Sequence, residues 1–323
     1  MKRWTANMSK ILITGGAGFI GSNLADRLIA RGDDVVIVDN LATGQVRNVH
    51  PEAEFHNISL GDSPISPESD ILLALDWKSI DAVVHAAASY KDPQDWRTDA
   101  VSNVVGTVDL IKAMQVKGVS RLIYFQTALM YGLHPPPWSL PITQPQEPYG
   151  SSYSVSKTAA ENYIQTSDLN WISFRLANCY GPRNLSGPVP TFWKKLKAGE
   201  ECTVMDTKRD FVFVDDLLDL VIMAIDGQGN GAYHVSSGRD VNIADMYYAI
   251  CEAMGVERPV TIKRRGKDDV KTILLDPALT EIQFNWKAST PLSKGIKKAI
   301  SCYNEYSVGE TYTHLKIGTH PTT

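Results

Sequence analysis

The sequence predicts an α/β protein built on a doubly wound parallel sheet, with a smaller C-terminal lobe. Two observations lead to this fold class. Short apolar runs alternate with helical patterns through the first half of the chain, and a glycine-rich turn joins the first run to the first helix. Alternation of this kind requires right-handed crossovers, which place helices on both faces of a parallel sheet.

Strands are predicted wherever short apolar runs occur, and helices where apolar residues recur at helical spacing. The predicted strands of the first half are 10–14, 34–39, 53–57, 81–86, 120–125 and 170–175, and its predicted helices are about 18–31, 97–116 and 152–167. Two proline-rich stretches, 132–149 and 181–190, interrupt the alternation and are predicted to be surface loops. The second marks where the chain leaves the sheet.

Beyond residue 190 the pattern is mixed. It predicts a helix near 190–199, a strand at 211–214, a helix at 215–225, a strand at 232–235, and helices near 242–254 and 292–306. We therefore expect a nucleotide-binding domain over 9–177 plus about 210–240. A substrate-binding lobe would take about 178–209 plus 241–310, with 1–8 and 311–323 as flexible tails.

The turn after the first strand carries three glycines, Gly15, Gly18 and Gly21, in a G-x-x-G-x-x-G pattern. Glycines at this spacing permit a tight turn, let the backbone approach a pyrophosphate, and let the helix sit close to the strand. The second apolar run ends in Asp39, 18 residues past Gly21, where a carboxylate can bind ribose hydroxyls. A glycine-rich turn of another α/β protein is the less favoured interpretation.

Composition excludes several classes of partner. The net charge is −4 and no dense basic block occurs, which argues against nucleic acid. No apolar run reaches the roughly 18 residues that span a bilayer, so no membrane partner is expected. The four cysteines form no C-x-x-C and the seven histidines show no metal-ligand spacing, so we expect no metal site and a reducing, cytoplasmic location.

A second chemical feature is Tyr153 and Lys157, which share a helix face at i and i+4. An ammonium stabilises a phenolate, so Lys157 is expected to lower the pKa of Tyr153 and prepare it as a general base or acid. Thr127 follows the fifth strand, where its hydroxyl can bond a reacting oxygen in the ligand crevice. Chance occurrence on an exposed helix is the alternative for the Tyr–Lys pair, and a structural role is the alternative for Thr127.

These motifs resemble the extended short-chain dehydrogenase/reductases, in the branch of NAD-dependent nucleotide-sugar epimerases and dehydratases. The resemblance covers about residues 10–306 and rests on ITGGAGFIGS, VDN, HAAA, NVVGT, TALMYG, YSVSK, RLANCYGPRN and RDFVFVDDL. It is strongest toward enzymes of bacterial polysaccharide loci of the O-antigen type, which share SYKDPxDW, FQTAL and RLAN. The resemblance implies a Rossmann sheet, NAD as the cofactor, a UDP-sugar as the substrate and a homodimer.

The resemblance also assigns roles to residues. Catalysis falls to Thr127, Tyr153 and Lys157. Cofactor contacts fall to Gly15, Gly18, Phe19, Ile20, Gly21, Asp39, Asn40, Ser59, Leu60, Ala86, Ala87, Asn103, Tyr153 and Lys157. Substrate contacts fall to Lys91, Thr127, Asn178, Arg209, Arg265 and Ile273.

Several of these positions depart from the family pattern. Ser59 stands where the family usually has an adenine-binding Asp, and Lys91 sits one residue later than a comparable lysine of some epimerases. The position of a second phosphate-binding Arg is Gly266, with Arg265 one step away. Ile273 aligns with a residue that limits the size of the sugar's C2 substituent, where a bulky Tyr would exclude an N-acetyl group.

The residues after Thr127 favour one reaction of the family. Its dehydratases place Asp-Glu there, and its decarboxylases place a Glu nearby, whereas this chain has Ala128 and Leu129. Neither side chain can give or take a proton. A nucleotide-sugar 4-epimerase is therefore the favoured interpretation, with a dehydratase or a dehydrogenase of the same family as alternatives and a non-catalytic NAD sensor as a remote one.

Overall fold

The computed structural model describes residues 8–61, 75–132, 139–148, 151–264 and 273–312. Its strands are β1 (Lys10–Thr14), β2 (Asp34–Asp39), β3 (Glu54–Asn57), β4 (Ile80–His85), β5 (Arg121–Thr127), β6 (Ser139–Leu140), β7 (Asn170–Leu176), β8 (Asn178–Tyr180), β9 (Thr203–Met205), β10 (Lys208–Arg209), β11 (Phe211–Phe213), β12 (Gly231–Val235), β13 (Val241–Asn242), β14 (Thr261–Lys263) and β15 (Leu274–Leu275). Its α-helices are α1 (Phe19–Arg31), α2 (Trp96–Asp99), α3 (Gly106–Lys117), α4 (Ser152–Gln165), α5 (Pro188–Ala198), α6 (Val214–Ile225), α7 (Ile243–Met254), α8 (Ala278–Phe284) and α9 (Leu292–Tyr306).

Seven strands form one parallel sheet in the order β12-β7-β5-β4-β1-β2-β3. This confirms the predicted fold class, and the main strands lie within two residues of their predicted bounds. The strand order reverses between β1 and β4. In doubly wound sheets such a reversal opens a crevice at the carboxyl ends of the strands, where ligands bind.

Alternate residues of each strand serve the two faces of the sheet. In β1, Ile11 and Ile13 join a buried cluster that includes Leu24 of α1 and residues of α6. Leu12 points the other way and packs in a cluster with residues of α3 and α4. Both faces are thereby covered by helices, which explains why the strands read as continuous apolar runs.

The helix predicted at 97–116 begins at Trp96 and ends at Lys117, but it is not uniform. Between α2 and α3, the segment Ala100–Val105 is π-helical. Asn103 lies in this segment, and its amide donates to the carbonyl of Ser89 at 3.0 Å and to the hydroxyl of Ser156 at 2.9 Å. The extra residue in the turn directs Asn103 inward, a common use of π-helical turns near functional sites.

Both predicted proline-rich loops are partly wrong. In the first, β6 pairs with β15, and Leu140 is buried with Met130 and Leu275 because a single apolar residue between prolines can still pack. In the second, Pro188 occupies the first turn of α5, where a missing backbone N–H and a fixed φ favour the helix.

Beyond β7 the chain forms two-stranded pairs, β8–β11, β10–β13 and β9–β14, alongside α5, α7 and α9. Aromatic contacts join these helices: Phe192 packs edge-on against Tyr247, and Trp193 packs against Tyr303. Of these short strands only β11 was predicted, as the strand at 211–214; the others and α8 are too brief for a periodic signal. In the part of the chain that the structure describes, no helix combines the length and apolar composition that crossing a membrane requires.

Candidate active site

A cavity of about 500 Å³ lies where the strand order reverses. This volume is typical of small-molecule sites. Most of the residues that the sequence singled out line it: Gly15, Gly18, Phe19, Ile20, Gly21, Asp39, Asn40, Leu60, Ala86, Ala87, Lys91, Thr127, Tyr153, Lys157, Asn178, Arg209 and Ile273.

Two of the predicted site residues do not line the cavity. Ser59 does not line the cavity, but its hydroxyl accepts from the amide of Asn40 at 3.2 Å. Asn103 is buried behind the wall, where it supports Ser89 and Ser156. Arg265 lies outside the described residues.

The glycine-rich turn forms a cradle that side chains would fill. Gly15 has φ +71°, and a Cβ built on it would lie 2.5 Å from the backbone nitrogen of Ala87. A Cβ on Gly21 would overlap the carbonyl oxygen of Gly15. Helix α1 follows with no side-chain cap on its first N–H groups. Free N–H groups and a close backbone approach fit the pyrophosphate of a dinucleotide, as the motif predicts.

Asp39 ends β2 at the edge of this cradle. Its carboxylate accepts from the backbone N–H of Ala17 at 3.0 Å and of Leu41 at 2.7 Å. Burial raises the pKa of Asp39, and the two backbone hydrogen bonds oppose that rise. The carboxylate is thus held rigidly beside the cavity, in a position that fits the ribose hydroxyls of a dinucleotide.

Helix α4 brings Tyr153 and Lys157 to the cavity. Ser151 caps the helix by accepting from the N–H of Ser154 at 3.2 Å. One turn later, the carbonyl of Lys157 accepts from the Tyr124 hydroxyl and from the Gln126 amide, each at 3.0 Å. These bonds from β5 fix the distance between the helix that carries the phenol and the strand that ends in Thr127.

The electrostatics of the pair differ from the sequence expectation. Burial lowers the pKa of Lys157 to about 7, and the Glu161 carboxylate opposes this shift. The Lys157 ammonium lies 3.9 Å from the centroid of the Tyr124 ring. Burial raises the pKa of Tyr153, and Tyr90 and Asp99 raise it further. The expected fall in the pKa of Tyr153 is therefore wrong for the protein's own groups, because the sequence showed the neighbouring charge but not the burial.

Thr127 sits where β5 ends. Its hydroxyl oxygen accepts from the N–H of Leu129 at 3.2 Å, so the hydroxyl proton remains available to donate into the cavity. Ala128 and Leu129 line the cavity beside it. This part of the wall therefore carries one hydroxyl and no acid.

The opposite wall comes from the C-terminal elements. The side chain of Asn178 is held by the carbonyl of Asp210 at 3.0 Å. Burial lowers the pKa of Arg209 to about 10, which leaves it charged at neutral pH. Asp210 is buried and accepts from the hydroxyls of Ser236 and Ser237, so it anchors the strand that presents Arg209. A guanidinium and an amide side by side can bind phosphate oxygens.

Two features near the site were not predicted. Tyr90 lines the cavity and packs edge-on against Tyr153, with ring centroids 6.4 Å apart. Glu161 is fully buried and forms a two-point ion pair with Arg175, with both N–O distances 3.1 Å. Glu161 follows Lys157 at i+4, so the helix face that revealed Tyr153 and Lys157 could have revealed it too. Among the described residues, no group of three His, Cys, Asp or Glu could hold a metal ion.

Comparisons with known proteins agree with this geometry. The model of the NAD-dependent epimerase/dehydratase family matches residues 11–244. The structure of the Bordetella bronchiseptica enzyme WbmH in complex with NAD+ is 43% identical, with a TM-score of 0.87, and the match covers 94% of this chain and 100% of that chain. B. bronchiseptica WbmG in complex with NAD and UDP is 38% identical, with a TM-score of 0.85, over 98% of this chain and 100% of that chain.

Among curated proteins, the UDP-glucose 4-epimerase of Mycolicibacterium smegmatis is 30% identical, covering 92% of this chain and 99% of that protein. The family match confirms the predicted enzyme class and its cofactor, NAD. The chain belongs to the NAD-dependent epimerase/dehydratase family.

Proposed function

We propose that the protein is an NAD-dependent nucleotide-sugar 4-epimerase that works through a 4-keto intermediate on a UDP-hexose or a derivative of one. The observation that carries the proposal is the composition of the wall at the end of β5. Thr127 and Tyr153 share this wall with Ala128 and Leu129, the two positions where the family's dehydratases carry acids. Tyr153 can take the proton of one sugar hydroxyl, but Ala128 and Leu129 cannot supply the acid and the base that an elimination needs.

Tyr153 acts as the base in this proposal. Its phenolate accepts the proton of the sugar hydroxyl, and Thr127 donates to the same oxygen. Tyr153 and Lys157 titrate as a pair, and when the pair holds one proton on Lys157 the ammonium charge stabilises the phenolate that acts as the base. NAD, which Gly15, Gly18, Gly21 and Asp39 would hold, would supply reversible hydride transfer at the sugar carbon, so no outside reductant would be consumed. Tyr153 then gives its proton back to the inverted alkoxide.

The nucleotide end of the substrate would lie at the opposite wall. Arg209 and Asn178 supply charge-assisted and amide donors suited to a diphosphate. UDP is the favoured nucleotide because the WbmG structure contains UDP and because the M. smegmatis relative is named a UDP-glucose 4-epimerase.

We also propose the two-part division of the chain, a cytoplasmic location and a role in polysaccharide synthesis, all of which stay predictions.

A homodimer through α3 and α4 belongs to the same proposal. Val105, Val155 and Tyr163 are about half exposed on helices of one face. Exposed apolar residues on two neighbouring helices fit a four-helix bundle across a two-fold axis. Ala160 of α4 does not contribute to this face, because it is fully buried against its own sheet. Sedimentation at micromolar concentration should give twice the monomer mass, and a monomer would contradict this proposal.

Product analysis tests the proposed reaction. The NAD-loaded protein is incubated with UDP-glucose or UDP-N-acetylglucosamine, and the sugars are identified by NMR. We expect the C4 epimer at equilibrium. A 4-keto-6-deoxy sugar would indicate a dehydratase, and an oxidised sugar formed in proportion to added NAD would indicate a dehydrogenase.

Variants of two tyrosines on one helix sharpen this test. Tyr153→Phe should still bind UDP but lose roughly 10²- to 10⁴-fold in turnover, the usual contribution of a general acid or base. Tyr163→Phe removes only a hydroxyl outside the cavity, keeps the ring that the proposed dimer face uses, and should leave turnover unchanged. Near-normal turnover by Tyr153→Phe would overturn the proposed base.

A further inference from the structure

The segment that follows α9, residues 307–312, crosses between two parts of the molecule, and we name it the C-terminal strap. At its start, the Arg47 guanidinium donates to the carbonyls of Tyr306 at 2.6 Å and Ser307 at 3.2 Å. Farther along, the Lys194 ammonium donates to the carbonyl of Gly309 at 2.8 Å. Arg47 follows β2 of the large sheet, whereas Lys194 belongs to α5, so the strap ties these two parts together.

The end of the strap is hydrogen-bonded to the wall of the cavity. The N–H of Tyr312 donates to the carbonyl of Leu185 at 2.9 Å, and the hydroxyl of Ser186 donates to the carbonyl of Tyr312 at 3.1 Å. Ser186 and its neighbour Asn184 line the cavity. The backbone at Tyr312 is thus fixed to the C-terminal side of the site, so the predicted start of a flexible tail at residue 311 is wrong.

Side chains of the strap contact Tyr90 and Lys91, which belong to the segment after β4 on the other side of the cavity. The Tyr312 ring packs edge-on against Tyr90, with centroids 6.3 Å apart, and Tyr90 packs edge-on against Tyr153 at 6.4 Å. The Lys91 ammonium lies 5.3 Å from the centroid of the Tyr312 ring and 3.5 Å from the Glu310 carboxylate. Edge-on pairs at these separations are attractive. Three rings therefore connect the strap to the phenol that we propose as the base.

We propose that Tyr312 is a positioning residue: it holds Tyr90 against Tyr153 and Lys91 at the cavity wall, and thereby keeps the two walls together around the sugar. This inference rests on the proposed epimerase function. A 4-keto sugar must turn over within the site and be reduced again before it escapes. If it escapes, the hydride taken from its C4, which carries two electrons, has no keto sugar to return to, and that enzyme molecule cannot complete its turnover.

The inference makes a specific claim about Tyr90 and Lys91. Both line the cavity, whereas Tyr312 contacts them from outside it. Loss of the Tyr312 ring removes the contact behind both residues without removing a group that touches the sugar. The expected consequence is poorer retention of the keto sugar together with slower turnover, because small misplacements around a reacting group are costly.

The test compares Tyr312→Ala with Tyr312→Phe and with Thr311→Ala, a matched change at the preceding residue of the strap. Each variant is loaded with NAD and given UDP-glucose. We measure kcat and KM, and we detect free keto sugar by mass spectrometry after borodeuteride reduction. Tyr312→Ala should lose about 10- to 100-fold in kcat/KM and release more keto sugar per turnover, while Tyr312→Phe and Thr311→Ala should behave as wild type. Equal kinetics and equal release for Tyr312→Ala and Thr311→Ala would overturn the inference.

Hydrogen exchange separates this inference from the proposed function. Amides of residues 88–92 and 184–187 should exchange faster in Tyr312→Ala than in Thr311→Ala, whatever reaction the enzyme catalyses. Unchanged exchange would overturn the positioning role even if the wild type is an epimerase. Faster exchange in a protein that epimerises neither UDP-glucose nor UDP-N-acetylglucosamine would contradict the proposed function alone.

Discussion

Replacing Gly15 with alanine should weaken NAD binding in addition to destabilising the fold. Gly15 has φ +71°, a conformation that costs an L-residue about 1–2 kcal/mol. Its new Cβ would also lie 2.5 Å from the nitrogen of Ala87 and 2.7 Å from the carbonyl carbon of Ala86. Ordinary contact begins at 3.4 Å, so the turn or the end of β4 must move by about 0.9 Å.

The structure offers a matched control at Gly118. This residue ends α3 with φ +75°, almost the same as Gly15, but a Cβ built on it meets nothing within 4 Å. Gly118→Ala therefore carries the conformational cost without the steric one. Any difference between the two variants measures the close approach of the backbone at the cofactor cradle.

The assay pairs urea unfolding with calorimetric titration of NAD. Gly118→Ala should lose about 1–2 kcal/mol of unfolding free energy and keep its affinity for NAD. Gly15→Ala should lose at least as much stability, and its affinity for NAD should fall by up to roughly 100-fold, if a 1 Å misplacement is as costly for binding as it can be for catalysis. Equal NAD affinity in the two variants would refute the reasoning that the cradle requires glycine at residue 15.

Three further predictions concern the buried groups around the cavity. In the wild type, kcat/KM should fall as the pH drops through about 7. Below that pH Tyr153 and Lys157 are both protonated, so neither can accept the proton of the sugar hydroxyl. A profile flat from pH 6 to 8 would contradict this. Arg175→Met should cost about 3–5 kcal/mol of unfolding free energy by leaving the Glu161 carboxylate buried and unpaired. The double variant that adds Glu161→Gln should recover part of that loss, and purely additive losses would exclude the coupling. Ile273→Tyr should lower kcat/KM for UDP-N-acetylglucosamine more than for UDP-glucose, whereas equal losses would show that Ile273 does not face the C2 substituent.

The parts of the fold that sequence reasoning found are those with a local signal. The strands of the large sheet are unbroken apolar runs because helices cover both faces, and Tyr153 and Lys157 share a helix face four residues apart. The glycines are visible because a positive φ and a close backbone approach restrict their positions to one residue type. Each of these signals is carried by residues within about 20 positions of one another, although the contact that requires glycine at residue 15 is with Ala87.

The parts that it missed depend on contacts between distant residues or on burial. β6 and β15 are two residues each and pair across more than 130 residues, so neither carries a periodic pattern. The contact between Tyr90 and Tyr312 joins residues more than 200 positions apart. The direction of the pKa shift of Tyr153 follows from its burial, which the residues next to it in the sequence do not show.

The most direct test of the account follows the hydrogen at C4 of the sugar. UDP-glucose carrying deuterium at C4 is incubated with the NAD-loaded enzyme, and the label is located in the product by NMR. Because the account has one hydride leave C4 and return to C4 within the same turnover, we predict an inverted sugar that keeps its deuterium at C4. Deuterium found at C6, lost to solvent, or left behind with an oxidised sugar would contradict it.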